Sequence, residues 1–105
     1  MFITDFITSI NKADFIKPIL TNRNLIVEIK ATNKSSYFLE LSSKNSNVLA
    51  SRPSNVDFYI EGEEQDIKEM LENKISLKQL ISLGCIKIKG SYRDFLKLDA
   101  LIKLR

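Results

Sequence analysis

Apolar positions along the first twenty residues recur with a helical period. Phe2, Ile3, Phe6, Ile7 and Ile10 share one face, and Phe15, Ile16, Ile19 and Leu20 repeat the pattern. The polar run Asn11 to Asp14 separates the two sets. Pro18 suits the first turn of a second helix better than the interior of one continuous helix, so two short helices are expected. Beyond the polar turn Thr21-Asn22-Arg23-Asn24 the period changes to two. Leu25, Val27, Ile29 and Ala31 alternate with Ile26, Glu28, Lys30 and Thr32, as in a half-buried strand. Asn33-Lys34-Ser35 makes a hairpin loop, after which Tyr37, Leu39 and Leu41 alternate with Phe38, Glu40 and Ser42. A loop over Ser43 to Ser46 precedes a short strand around Val48-Leu49-Ala50, completing an antiparallel meander. Arg52-Pro53-Ser54-Asn55 forces a turn or crossover, and Val56, Phe58 and Ile60 then mark a fourth strand.

Helical spacing returns after Gly62. Glu63, Glu64 and Asp66 complement the dipole of a helix whose buried stripe is Ile67, Met70 and Leu71. Ser76 opens another helix in a capping-box pattern with Gln79, turns Leu77, Leu80 and Ile81 inward, and ends where Gly84 suits a left-handed C-cap. Cys85 to Lys89 forms a fifth strand. Ser91 caps a final helix, with Asp94 at its third position and Phe95, Leu98, Leu101 and Ile102 on its apolar side. The layout of helix, four strands, helix pair, strand and helix argues for an α+β fold, one sheet with helices covering one face. Leu25, Val27, Ile29, Tyr37, Leu39, Val56, Phe58, Ile60, Ile86 and Ile88 are then the helix-facing set, which leaves Ile26, Phe38 and Tyr59 on the opposite face.

Composition narrows the function classes. A chain of 105 residues, 44% hydrophobic and 28% charged, is expected to form a single domain over 1–105 without disulfides or metal. The lone Cys85 fits a reducing, cytoplasmic location and reads as a small filler, and no stretch has the length of a membrane span. Abundant Ile, Lys and Asn is what an AT-rich bacterial genome tends to encode. The net charge of +3 is unevenly spread. Residues 57–72 carry seven acids against Lys68, and residues 85–105 carry six bases against Asp94 and Asp99. Four of those six bases are Lys, with little of the Arg and aromatic equipment of base readout, so nucleic acid is not an expected partner.

With no histidine, the chain lacks the commonest general base and imidazole ligand. Ser-His-Asp and Cys-His arrangements are excluded within one chain. The acidic run lacks the ligand alternation of a calcium loop, and the three glycines are too dispersed to cradle phosphate. No catalytic residue, metal site or cofactor is expected, and binding is favoured over chemistry.

From Val56 to Leu104 the order of elements becomes specific. An acidic helix and a short helix ending at Gly84 lead into Ile86-Lys87-Ile88-Lys89-Gly90-Ser91 and then Phe95-Leu96-Lys97-Leu98-x-x-Leu101. This resembles the sterol carrier protein 2 (SCP2) family of lipid-binding domains. The resemblance implies a five-stranded, mostly antiparallel sheet in the order 3-2-1-4-5, with helices on one face enclosing an apolar cavity. It also implies a non-catalytic carrier of sterol, fatty acid or fatty acyl-CoA, and a bacterial source argues against sterol itself.

The short helices offer more apolar volume than a narrow stripe requires, which makes Met70, Leu80, Ile81, Phe95, Leu98 and Ile102 the candidate cavity wall. Lys87, Lys89 and Arg93 are the candidate partners of an anionic headgroup at its rim. The alternative reading is a dimerisation or protein-interaction module with a vestigial cavity, pairing through Ile26, Phe38 and Tyr59 as an exposed patch. Contact with a membrane is expected to be transient at most.

Overall fold

The computed structural model describes residues 2–20 and 24–104, without the side chains of 15–17. The expected turn over 21–23 and the stripe positions Phe15 and Ile16 therefore lie outside the described residues. Helix α1 (Phe2–Lys12) buries Ile3, Phe6, Ile7 and Ile10. The second helical segment, Asp14–Leu20, is a 3-10 helix with Pro18 inside it rather than in its first turn. A proline inside the segment cannot donate to an α-helical ladder, which disfavours its continuation as an α-helix.

Strands β1 (Leu25–Ala31), β2 (Ser36–Leu41), β3 (Asn47–Val48), β4 (Phe58–Gly62) and β5 (Ile86–Gly90) form one sheet in the order β3-β2-β1-β4-β5. Every neighbouring pair is antiparallel except β1 and β4. The β1–β2 turn places Asn33 at φ 62°, a conformation Asn tolerates by bonding its own backbone. β3 is shorter than expected, its pairing with β2 ending one step past Val48, where the Leu49 amide still donates in register to the Phe38 carbonyl at 2.7 Å. β4 begins at Phe58 rather than Val56. Asp57 ends the pairing early, its carboxylate accepting the Ile26 amide at 2.8 Å while its own amide donates to the Ile26 carbonyl at 2.9 Å. Val56 consequently falls outside the alternation and lies on the outer side of the sheet.

Helices α2 (Glu64–Leu71), α3 (Leu77–Ser82) and α4 (Tyr92–Leu104) pack with α1 on the inner face. Their starts follow local chemistry. Ser76 accepts the Gln79 amide at 3.0 Å, and Ser91 accepts the Asp94 amide at 3.1 Å. Gly84 at φ 75° takes the left-handed position after α3. One apolar cluster joins the layers, from Ile3 and Phe6 of α1 through Val27, Leu39 and Ile60 of the sheet to Met70, Leu80, Leu98 and Ile102 of the helices. Asn11 ties α1 to the β2–β3 loop in both directions, its amide donating to the Ser46 carbonyl at 2.9 Å and its carbonyl accepting the Ser46 amide at 2.8 Å.

Candidate functional site

The inner face opens at the β5 edge of the sheet. There α3, β5 and the first turn of α4 border an open cleft of about 520 Å³ lined by Lys78, Ile81, Ser82, Ile88, Gly90, Tyr92 and Phe95. The alternation of β5 buries Ile86, turns the half-buried Ile88 toward the cleft and leaves Lys87 and Lys89 exposed. Ser91 then starts α4 and sets Tyr92 and Phe95 one turn apart. Their rings stack at 5.9 Å with 17° between planes, forming one wall. Ile81 and Ile88 pack against the main core from the cleft side, so the floor of the cleft is continuous with the apolar interior.

The expected cavity residues divide into two groups. Ile81 and Phe95 line the cleft, while Met70, Leu80, Leu98 and Ile102 lie behind it, at most 2% exposed, within the core. Lys87 and Lys89 project from the other face of the sheet, opposite Glu61 and Tyr59, and Arg93 stands exposed on α4 outside the cleft lining. The base that does line the cleft is Lys78. Sequence reasoning passed over Lys78 and Tyr92 because each reads as an ordinary exposed helix position. The usable signal was their placement, each in the first turn after a serine cap, Ser76 for Lys78 and Ser91 for Tyr92.

On the outer face, Phe38 is covered rather than bare. The crossover between β3 and β4 lays Arg52 over its ring, leaving it 9% exposed. Ile26 and Tyr59 are half-buried, and Glu28 sits between Phe38 and Tyr59 as the cross-strand neighbour of both. Glu28 accepts the Ser36 hydroxyl at 2.6 Å and pairs with Arg52. A second, more polar cleft of about 590 Å³ runs beneath this crossover past Glu28, Asp57, Tyr59 and Lys89. Cys85, read from the sequence as a filler, is exposed, because the left-handed turn at Gly84 delivers it to the surface ahead of β5.

Among the described residues there is no group of three or more Cys, Asp or Glu able to hold a metal ion, and no helix long and apolar enough to cross a membrane.

Residues 9–103 match the model of the SCP-2 sterol transfer family. The SCP2 domain-containing protein YusD of Bacillus subtilis (strain 168) is 32% identical over 91 residues, covering 86% of this chain and 78% of that protein. Among solved structures, the UbiJ-SCP2 ubiquinone synthesis protein superposes with a TM-score of 0.78 at 15% identity, over 96% of this chain and 89% of that one. Sterol carrier protein 2 from Yarrowia lipolytica, in its apo form, superposes with a TM-score of 0.60 at 19% identity, over 97% and 84%. At such identities these two structures share the fold.

Proposed function

The chain belongs to the SCP-2 sterol transfer family, and on that footing we propose that it binds and carries an acyl-bearing lipid in the cleft between α3, β5 and α4. The observation that carries this reading is the cleft itself, an opening of about 520 Å³ with Ile81, Ile88, Tyr92 and Phe95 as walls and Lys78 at its edge. That volume falls in the range of small-molecule sites, roughly 300–1,000 Å³, and the mixture of apolar wall with a few polar groups, here Lys78 and Ser82, is their usual composition. Burial supplies the affinity, at about 0.8 kcal/mol per methylene removed from water, less the cost of ordering the chain.

A hydrocarbon longer than the open cleft advances by displacing Met70, Leu80, Leu98 and Ile102, which stand behind Ile81 and Ile88 in the same cluster. Adaptable Met70 and the six-residue α3 suit that rearrangement. A free carboxylate, or the phosphate-bearing CoA part of an acyl thioester, stays at the mouth, near Lys78. The reading needs no catalysis, and a chain without histidine offers no ready general base for it.

Calorimetry and thermal shift across a series of fatty acids, with fatty acyl-CoA and a sterol alongside, test the reading. Affinity should climb with chain length and then level off when the core can yield no further, and each bound ligand should raise the melting temperature. The proposal fails if none of the three classes binds at micromolar concentration.

A further inference from the structure

The cleft on the outer face of the sheet is built from different chemistry than the one beside the helices. Glu28, Tyr59 and Lys89 stand in register on β1, β4 and β5, an acid, a phenol and a base in one row across three strands. Neighbouring strands lie about 4.8 Å apart, so the backbones at the two ends of this row are separated by roughly 10 Å. Pro53 and Val56 of the β3–β4 crossover, both half-buried, border the same opening of about 590 Å³ and give it apolar surface beside the charged groups. Tyr59 donates its hydroxyl to Glu61 at 2.9 Å, and so offers the cleft its ring rather than a proton.

Glu28 is only 7% exposed, and a buried carboxylate is costly unless its oxygens are bonded. Both of its contacts fall on Oε2, the Ser36 hydroxyl at 2.6 Å and Nη2 of Arg52 at 3.5 Å. Among the described residues Oε1 has no partner, and Glu28 lines the cleft. An arginine whose whole task is to neutralise a buried acid grips both oxygens in a fork. Arg52 instead reaches one oxygen at the limit of a hydrogen bond, lies over Phe38 and keeps 67% of its side chain exposed. The structural role of Glu28 therefore leaves one of its acceptors unspent.

The surrounding charges narrow the ligand. A simple cation meets Arg52 and Lys89, a simple anion meets Glu28 and Asp57, and an apolar molecule strips water from Glu28 without replacing it. We infer that the outer cleft binds a short zwitterion, its ammonium on Glu28 Oε1, its carboxylate on Lys89, and a small hydrocarbon body against Tyr59, Pro53 and Val56. Amino acids with a terminal amine, and dipeptides, belong to this class. The site lies across the sheet from the proposed lipid cleft and does not depend on it.

Amide chemical shifts of isotope-labelled protein test the inference, with glycine, γ-aminobutyrate and ε-aminocaproate as probes and n-butylamine and butyrate as single-ended controls. Saturable shifts are expected at Glu28, Tyr59 and Lys89, with affinity rising along the three zwitterions because only the longer ones span the row. Each control lacks one charge-assisted contact and should bind about tenfold more weakly than ε-aminocaproate. Glu28→Gln should weaken ε-aminocaproate about tenfold, since it removes the charge from the bond to the ammonium. Lys89→Ala, at an exposed position, should weaken it several-fold, and more at low salt. Lys87→Ala, on the same side of β5 but outside the cleft, should change nothing.

The inference is overturned if ε-aminocaproate gives no saturable shift on the outer face, if n-butylamine binds as tightly, or if either Glu28→Gln or Lys89→Ala binds as the parent does. Shifts confined to Ile81 and Phe95, in the other cleft, would overturn it as well. Fatty-acid titration of the same sample reports on the carrier reading separately, so the failure of one reading is distinguishable from the failure of the other.

Discussion

The Cζ atom of Arg52 lies 4.9 Å from the centre of the Phe38 ring, and its Nη2 lies 3.5 Å from the Glu28 carboxylate. One side chain of the β3–β4 crossover thus fastens this connection to the outer face of the sheet through both a ring and a buried acid. A cation over an aromatic face contributes about 0.5–1 kcal/mol at an exposed site. Arg52→Ala should therefore destabilise modestly in urea unfolding, by about 1–2 kcal/mol, because it also takes the charged partner from the buried Glu28 carboxylate, which keeps its bond with Ser36. Phe38→Ala removes the covered ring itself and should cost about 3 kcal/mol. An unchanged midpoint for Phe38→Ala would mean the crossover does not seal this face. Sedimentation of the parent protein would then test Ile26, Phe38 and Tyr59 as a pairing surface.

Asn11 offers a second structural test, since its side chain makes paired bonds with the Ser46 backbone. Replacing it with Ala leaves a partly buried amide and carbonyl without their partner, which should lower stability by about 1–3 kcal/mol. Hydrogen exchange at Ser46 should quicken more than at β1. Equal protection in both proteins would show that the loop is held by something else.

At Gly90 the backbone takes φ 148°, and an added Cβ would stand 2.5 Å from the Phe58 ring and 2.9 Å from the Asp57 carbonyl. Gly90→Ala therefore meets strain and a collision together, and a loss of about 2 kcal/mol or more is expected. Because Gly90 borders the clefts on both sides of the sheet, ligand affinity should fall as well. A variant as stable as the parent would contradict the backbone geometry.

Alkaline pH should weaken the fold. Loss of hydration on the sheet face, and then the hydrogen bond it donates to Glu61 at 2.9 Å, hold the Tyr59 hydroxyl above its ordinary pKa of 10.0. The hydrogen bond and ion pair with Glu64 likewise raise Lys34 above 10.5. Both folded-state values are raised, so their stabilisation is complete below about pH 10 and is lost as pH climbs through the folded values. Melting temperatures between neutrality and strong alkali should decline above pH 10, less steeply for Tyr59→Phe. Coincident curves for the two proteins would remove Tyr59 from the explanation.

In the cleft, Ile88→Trp should weaken long acyl chains more than short ones, by filling the space beside Phe95. Lys78→Ala should affect only anionic ligands, and less so at high salt. Lys87→Ala, on the opposite face, gives the control. If Lys87→Ala or Lys89→Ala weakened headgroup binding while Lys78→Ala did not, the headgroup would have to be placed on the outer side of the sheet.

Local chemistry was readable from the chain wherever neighbours in sequence settle it. Ser76, Gly84 and Ser91 act within a turn of themselves, and the alternation around Val27, Leu39 and Ile60 states which face is wet. The family resemblance came from the order of elements across Val56 to Leu104 and the strand order from what that resemblance implies, and the structure and the comparisons bear both out. Strand ends were not readable, because Asp57 closes β4 by bonding Ile26, thirty-one positions earlier. The cleft was only half readable for the same reason. Apolar spacing shows that Ile81 and Leu98 both face inward, but the separation between α3 and α4 decides that Ile81 borders open space while Leu98 is enclosed.

The parallel pairing of β1 with β4 also governs how the molecule assembles in time. Val27 must find Phe58, whereas the β1–β2 hairpin closes around a loop of a few residues, and β5 reaches β4 only after α2 and α3 have been laid down. Closing the longer loop costs entropy before any contact repays it, so the meander should form early and the central β1–β4 seam late. Until that seam closes, one edge of β1 stands unpaired in the nascent chain, the stretch most exposed to association with another copy during synthesis. Substitutions that weaken Val27 or Phe58 should then speed unfolding more than they slow folding, which stopped-flow chevrons would reveal.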